Sequence, residues 1–290
     1  MSDFKSRLPR DLYTASQVRD LDRIAIEQMP IPGIELMQRA AGATLALLLD
    51  QFPQVKQVIM LSGTGNNGGD GYMMAVLAKQ QGIKVDVIQV GDHTQLQGDA
   101  LLAARLAQKA GLPINAFDPQ LHQAATLATI LVTTSTVIVD ALLGTGLDRD
   151  VSPEFARAIE FINSTGLPIV AVDVPSGICS DTGRVRGTAV KAQHTVTFIG
   201  LKRGMLTGAA VDYCGIIHFT ALDLPEKLYS STASPRPDCQ RIDMQLMSRK
   251  LLPRSPSSHK GDFGHTVVIG GDYGFGGAVS MAGEAALRGG

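Results

Sequence analysis

The sequence predicts an α/β fold with a mostly parallel sheet. Three observations carry that expectation. Apolar, β-branched runs recur at 57–61, 84–90, 137–140, 169–173 and 194–199; helix-like stretches at 72–81, 99–110 and 153–163 lie between them; and glycines stand where helices should stop. Strands alternating with helical segments of this length form parallel strands joined by crossover helices.

Each element has a local reason. Thr14 to Gln17 form a capping box, Val18, Leu21, Ala25 and Met29 follow at helical spacing, and Pro30 ends the helix. A more apolar helix is expected from about Ile34 to Leu49, its composition suited to packing against the body of the domain. The run at 57–61 opens into a glycine-rich loop from Gly63 to Gly71, and the helix behind it ends at Gly82, a left-handed C-cap position that Gly111 repeats after 99–110. Leu127 to Thr134 fits both a helix end and a strand. Small polar residues and prolines from Tyr229 to Asp238 read as a linker, which predicts a domain over 1–228, a linker over 229–240 and a second segment over 241–290. That segment is expected to hold a strand at Thr266 to Ile269, a glycine loop at Gly270 to Gly277 and a helix from near Ala278; it is too short for a domain of this architecture and is expected to be its truncated beginning.

Composition narrows the function. The net charge is −1, from 26 basic and 27 acidic residues, which gives no electrostatic basis for a nucleic-acid or membrane-surface partner and favours a small molecule. Cys179, Cys214 and Cys239 are odd in number and far apart, so they suggest neither a disulfide framework nor a zinc site. With no secretory start and no apolar run near the ~20 residues of a membrane span, the expected location is the cytoplasm. None of the six histidines has metal-ligand spacing, and His194 and His218 read as packed or edge residues.

Ligands of open α/β sheets bind beyond the carboxyl ends of the strands. Asp140 and Asp173 each end a run of Val, Ile and Ala, where a carboxylate is costly without a partner. Each has a plainer reading as a helix cap or loop brace, but their coincidence with two glycine loops favours function. The opening loop fits G-x-G-x-x-G, yet a dehydrogenase would place an acidic residue at the end of the second strand. Asp86 lies mid-strand and Asp92 just beyond, both poorly placed for a ribose.

The motifs NNGGDG, VDALLGTG and DVPSG, in this order, resemble the NAD(P)H-hydrate epimerase family, the YjeF N-terminal domain, over about residues 12–225. Gly33 to Arg39 and Phe198 to Gly204 are similar as well. His259 to Asp272, Gly276 to Ala278 and Glu284 to Arg288 resemble the start of the ADP-dependent NAD(P)H-hydrate dehydratase domain. The resemblance implies a Rossmann-like three-layer sandwich followed by a partial ribokinase-like segment. It implies that Asn66, Asn67, Gly68, Gly69 and Asp70, together with Gly144, Thr145, Gly146, Leu147, Asp148, Arg149 and Asp150, line a hydrated nicotinamide nucleotide (NADHX or NADPHX), which Asp173 contacts. It implies potassium held by Asn67, Asp140 and Ser176, oxygen donors of the kind an alkali cation needs. ADP and Mg2+ would serve the complete dehydratase domain, where Ala278 would touch the hydrate, and related domains form dimers.

Asp173 is expected to exchange the proton of the departing and returning water. Lys202 has two readings, a phosphate anchor or tuner of Asp173 and an exposed loop lysine. Related N-terminal domains also serve as non-catalytic scaffolds, which degraded site motifs would favour; here Asn67, Asp70, Asp140, Asp173 and Ser176 all match.

Overall fold

The structure, a computed structural model, describes residues 8–29, 31–120, 135–244, 247–248 and 253–289. The chain divides into two compact units, Met1–Arg241 and Ile242–Gly290.

In the first unit seven strands form one sheet: β2 (Gln57–Ser62), β3 (Lys84–Gln89), β4 (Ile114–Ala116), β5 (Thr136–Ala141), β6 (Ile169–Val172), β7 (His194–Phe198) and β9 (Ile216–Thr220). Their order is β4-β3-β2-β5-β6-β7-β9, and every neighbouring pair is parallel. From β2 the chain builds outward to β4, then crosses to the other side of β2 with β5. The strand order therefore reverses between β2 and β5, and such a switch point leaves a crevice at the strand ends.

Alternate residues face opposite layers. Val58 and Met60 join a core with α1 (Ala15–Gln28), α2 (Gly33–Gln51), α3 (Asn66–Gln80) and α4 (Gly98–Lys109), whereas Ile59 and Leu61 join one with α5 (Pro153–Ser164). Burial on both faces explains why the strands read as continuous apolar runs rather than alternating ones. The capping box forms as expected, with Gln17 N donating to Thr14 Oγ1 at 3.3 Å and Thr14 N to Gln17 Oε1 at 2.8 Å. Gly82 and Gly111 take φ of 79° and 69° just after their helices. Pro30 and the Leu127–Thr134 stretch lie outside the described residues.

Two features of the first unit depart from expectation. Helix α3 begins at Asn66 rather than Tyr72, so NNGGD is helical. Its glycines fit a crowded surface, since a Cβ on Gly71 would approach the Cβ of Ala141 to 2.6 Å and one on Gly69 the sulfur of Met37 to 2.8 Å. The stretch expected as a linker is fastened to the first unit. A small sheet sets β1 (Asp11–Tyr13) between β8 (Leu201–Lys202) and β10 (Cys239–Gln240), Asp238 bridges Arg203 at 2.6 Å, and the Tyr229 hydroxyl, following Lys227 in the short α6 (Lys227–Ser230), donates to Ile199 O at 2.7 Å.

In the second unit the helix forms as α7 (Gly277–Gly289), but residues 266–269 belong to no ladder, and Ile269 is 91% exposed. A strand needs a neighbour for its backbone donors and acceptors, and the described residues of this unit contain no other strand.

Candidate active site

Three chain segments meet beyond the β2, β5 and β6 ends. The first turns sharply at Gly63, whose N–H donates to Ala141 O at 3.0 Å. A Cβ on Gly63 would lie 2.0 Å from Leu142 O, and one on Gly68 would lie 2.0 Å from Gly63 O, so glycine alone lets these backbones approach. Asn66 is exposed, whereas Asn67 is buried with neither its Oδ1 nor its Nδ2 hydrogen-bonded among the described residues. Leaving both ends of an amide dry and unpartnered is costly.

Asp140 is fully buried and braced. Its carboxylate accepts from Ser176 Oγ at 2.6 Å, Ser176 N at 2.8 Å and Leu142 N at 3.2 Å, while Leu143 N donates to Ser176 Oγ at 2.8 Å. Burial pushes its carboxyl up to about 6, against the opposing pull of the Ser176 and Leu142 bonds. The plainer reading, a loop brace, is thus met in the geometry. Gly144 follows and packs on Asn67, where a Cβ would be 3.3 Å from the Asn67 Cβ. Thr145 and Leu147 are half-buried, and Gly146, Asp148, Arg149 and Asp150 are exposed.

Asp173 takes φ 66°, in the left-handed region, with its N–H donating to Val196 O at 2.7 Å. Its Oδ1 accepts from Lys202 Nζ and from Thr197 Oγ1 at 3.4 Å. Lys202 is only 1% exposed and donates also to Thr197 Oγ1 at 3.0 Å and Phe198 O at 3.1 Å. The exposed-lysine reading is therefore overturned: pairing of β1 with β8 holds Lys202 inside, opposite Tyr13. Ala278 belongs to the second unit, exposed at the start of α7.

Two half-buried carboxyls complete the cluster. Burial drives Asp70 well above the ordinary carboxylate range; the negative charges of Asp173 and Asp22 add to the rise, and Lys202 opposes it. Asp22, which the motif reading missed, is pushed by burial up to about 7, with Lys202 lowering it and Asp173 raising it. The sequence did contain a signal, because Asp22 stands four residues after Val18 and three before Ala25, on the buried stripe of α1. By contrast, Asp86 accepts from Gln57 Nε2 at 2.7 Å and Asp92 accepts from Thr94 N at 2.9 Å to cap a short turn, so each is engaged locally.

A parallel sheet covered on both faces, with glycine-opened turns and an acidic cluster at its switch point, defines a Rossmann-like α/β protein. The chain belongs to the family described as YjeF-related protein N-terminus, which matches residues 33–204. It is 42% identical over 278 residues to the bifunctional NAD(P)H-hydrate repair enzyme Nnr of Coxiella burnetii, covering 96% of this chain and 54% of that protein. The Escherichia coli enzyme of the same name is 40% identical, covering 98% of this chain and 52% of that one. The chain thus spans about half the length of these relatives. The NAD(P)H-hydrate epimerase of Limosilactobacillus reuteri is 38% identical over 207 residues, covering 71% of this chain and 92% of the relative. The crystal structure of yeast ynu0, YNL200c, shares the fold, with a TM-score of 0.63 at 19% identity over 78% of this chain and 94% of the yeast chain.

Proposed function

We infer that this chain is an NAD(P)H-hydrate epimerase that interconverts the R and S forms of hydrated NADH and NADPH at C6. Family membership and the likeness to a named epimerase along nearly its whole length support the activity. The observation that carries the residue assignment is the Asp173–Lys202 pair, a strand-end carboxylate engaged by a buried ammonium. In the proposed reaction the ring nitrogen's electron pair forms a double bond to C6 as the C6 oxygen departs, protonated, as water. Water then adds to the opposite face and loses a proton. Asp173 faces the transient ring cation, stabilises it and takes part in the proton exchange, while Lys202 fixes its orientation.

Asn66 to Asp70 and Gly144 to Asp150 are proposed to line the nucleotide, their glycines allowing close backbone approach. The chemistry fits a potassium ion at Asn67, Asp140 and Ser176: a buried amide oxygen with no partner among the described residues and a buried carboxylate are donors that a cation would satisfy. When bound, it would supply positive charge next to Asp140 and tie the three segments together. For the longer protein we propose dehydration of the S form with ADP and Mg2+, residues 242–290 being the start of that domain and Ala278 a hydrate contact. We propose a cytoplasmic setting and a homodimer or larger homo-oligomer; among the described residues no helix is long and apolar enough to cross a membrane.

The test is to supply one hydrate epimer and follow its re-equilibration by chromatography, with and without potassium. The wild-type chain should raise the rate far above the spontaneous one, and Asp173→Asn should lower it by at least about 100-fold. Near wild-type turnover in that variant would overturn the assignment of Asp173.

A further inference from the structure

Strand β3 ends beside the first glycine loop, with Ser62 opposite Gln89 and Val90 N donating to Ser62 O at 2.9 Å. In dinucleotide-binding sheets of this order that strand end reads the adenosine ribose, through a carboxylate that bonds the 2′-hydroxyl. Here it carries a neutral amide and an imidazole instead. Gln89 is buried, and its Oε1 accepts from the hydroxyl of Tyr72 on α3 at 3.0 Å. His93, exposed at the head of the short turn His93–Gln95, sets its Nδ1 2.9 Å from the same oxygen.

This network fixes the imidazole. Gln89 Nε2 donates to Gly91 O at 3.4 Å, and turning the amide over would set Oε1 against that carbonyl, so Oε1 is the end that meets Tyr72 and His93. An amide oxygen only accepts, which makes Nδ1 the protonated nitrogen of a neutral His93 and leaves Nε2 with a lone pair. None of the hydrogen bonds among the described residues uses that nitrogen. The loop beneath is held in place: a Cβ on Gly91 would lie 3.1 Å from Thr64 Cγ2 and 3.3 Å from the Phe155 ring, and Gly91 N donates to Glu154 Oε1 at 3.2 Å. Asp92 is taken up by Thr94, whose N and Oγ1 donate to its Oδ1 at 2.9 and 2.7 Å. From Asp173 after β6 to Gln89 the path crosses β5 and β2, three strand spacings or about 14 Å. An extended dinucleotide covers that reach, with its nicotinamide at Asp173, its pyrophosphate beside the glycine loop after β2 and its adenosine at the end of β3.

We propose that His93 is a specificity-determining residue that meets the 2′ position of the substrate's adenosine ribose. The proposal rests on the epimerase reading and adds to it the end of the site that holds adenosine. As an acceptor, Nε2 takes a hydrogen bond from the 2′-hydroxyl of hydrated NADH; once protonated, it donates to the 2′-phosphate of hydrated NADPH. An imidazole at this place admits both hydrates, whereas a carboxylate would repel the phosphate.

The test measures KM and kcat for both hydrates with the 290-residue wild-type chain, His93→Ala and His93→Asp, folding being checked by thermal melts. Wild type should turn over both. His93→Ala should raise both KM values about five- to tenfold, as loss of one hydrogen bond does, and leave kcat within about twofold. His93→Asp should keep hydrated NADH near its wild-type KM and raise that of hydrated NADPH at least about 100-fold through like-charge repulsion. A wild type confined to one hydrate, wild-type KM values in both variants, or equal changes for the two hydrates in His93→Asp overturn the proposal while leaving the epimerase reading intact. A folded wild type without any turnover overturns both. Should a variant not fold, nitrogen NMR of the wild-type chain decides: the His93 Nε2 resonance should move on addition of adenosine 2′,5′-bisphosphate, and one that stays in place overturns the proposal.

Discussion

The acidic cluster makes stability depend on pH in an unusual direction. Asp22, Asp70 and Asp140 are all raised above their unfolded-state values. A group raised on folding contributes stability that is full below its unfolded pKa and lost as pH rises through the folded one. Denaturant unfolding should therefore show the first unit weakening from about pH 4 towards 7 through these groups, and Asp22→Asn should flatten part of that decline. Steeper weakening in the variant would contradict the assignment. Asp140 and Asp173 were legible because each interrupts an apolar run at its end. Lys202 was not, because its burial depends on pairing with β1 far upstream in the chain. Asp22 was overlooked because one polar residue on a helical stripe is commonly tolerated at a surface. Asp173 also carries conformational strain at φ 66°, a region that costs a non-glycine residue about 1–2 kcal/mol. Asp173→Gly would relieve that strain but leave the buried Lys202 ammonium without its carboxylate, a loss of about 3–5 kcal/mol, so the variant should melt lower as well as lose turnover.

At the level of elements, α3 shows tertiary contacts overriding local preference. Two asparagines and adjacent glycines argue against a helix on propensity alone, by about 1 kcal/mol for each glycine, and so NNGGD read as loop. The glycines are needed because the helix starts against two strand ends and a neighbouring helix, where side chains have no room. Gly68→Ala should destabilise the first unit by about 1–3 kcal/mol through overpacking against the Gly63 carbonyl, measured by urea unfolding. A neutral result would mean that this turn is looser than its contacts imply. The long central strands and their crossover helices were readable from periodicity, burial on both faces making each strand a continuous apolar run. The two- and three-residue strands β1, β8 and β10 were not, since so short a run has no period.

Across the whole molecule, the first unit contains the large sheet and the whole of the candidate active site, while Ala278 belongs to the second unit. A chain ending at Arg241 should fold and epimerise as the longer one does, whereas one ending at residue 228 should melt lower, having lost β10, the Asp238–Arg203 bridge and the Tyr229 bond. Equal melting temperatures would show that residues 229–241 add nothing. The composition of that stretch suggested a linker because prolines and serines conceal the few backbone pairings that hold it. The same pairings join the unit's entry and exit: Leu12 lies opposite Cys239, and Arg241 N donates to Arg10 O at 2.8 Å. Chain ends this close could be spliced by a short bridge and new ends opened in a surface loop elsewhere. The unit is in effect a ring cut once, and a circular permutant of it should remain active.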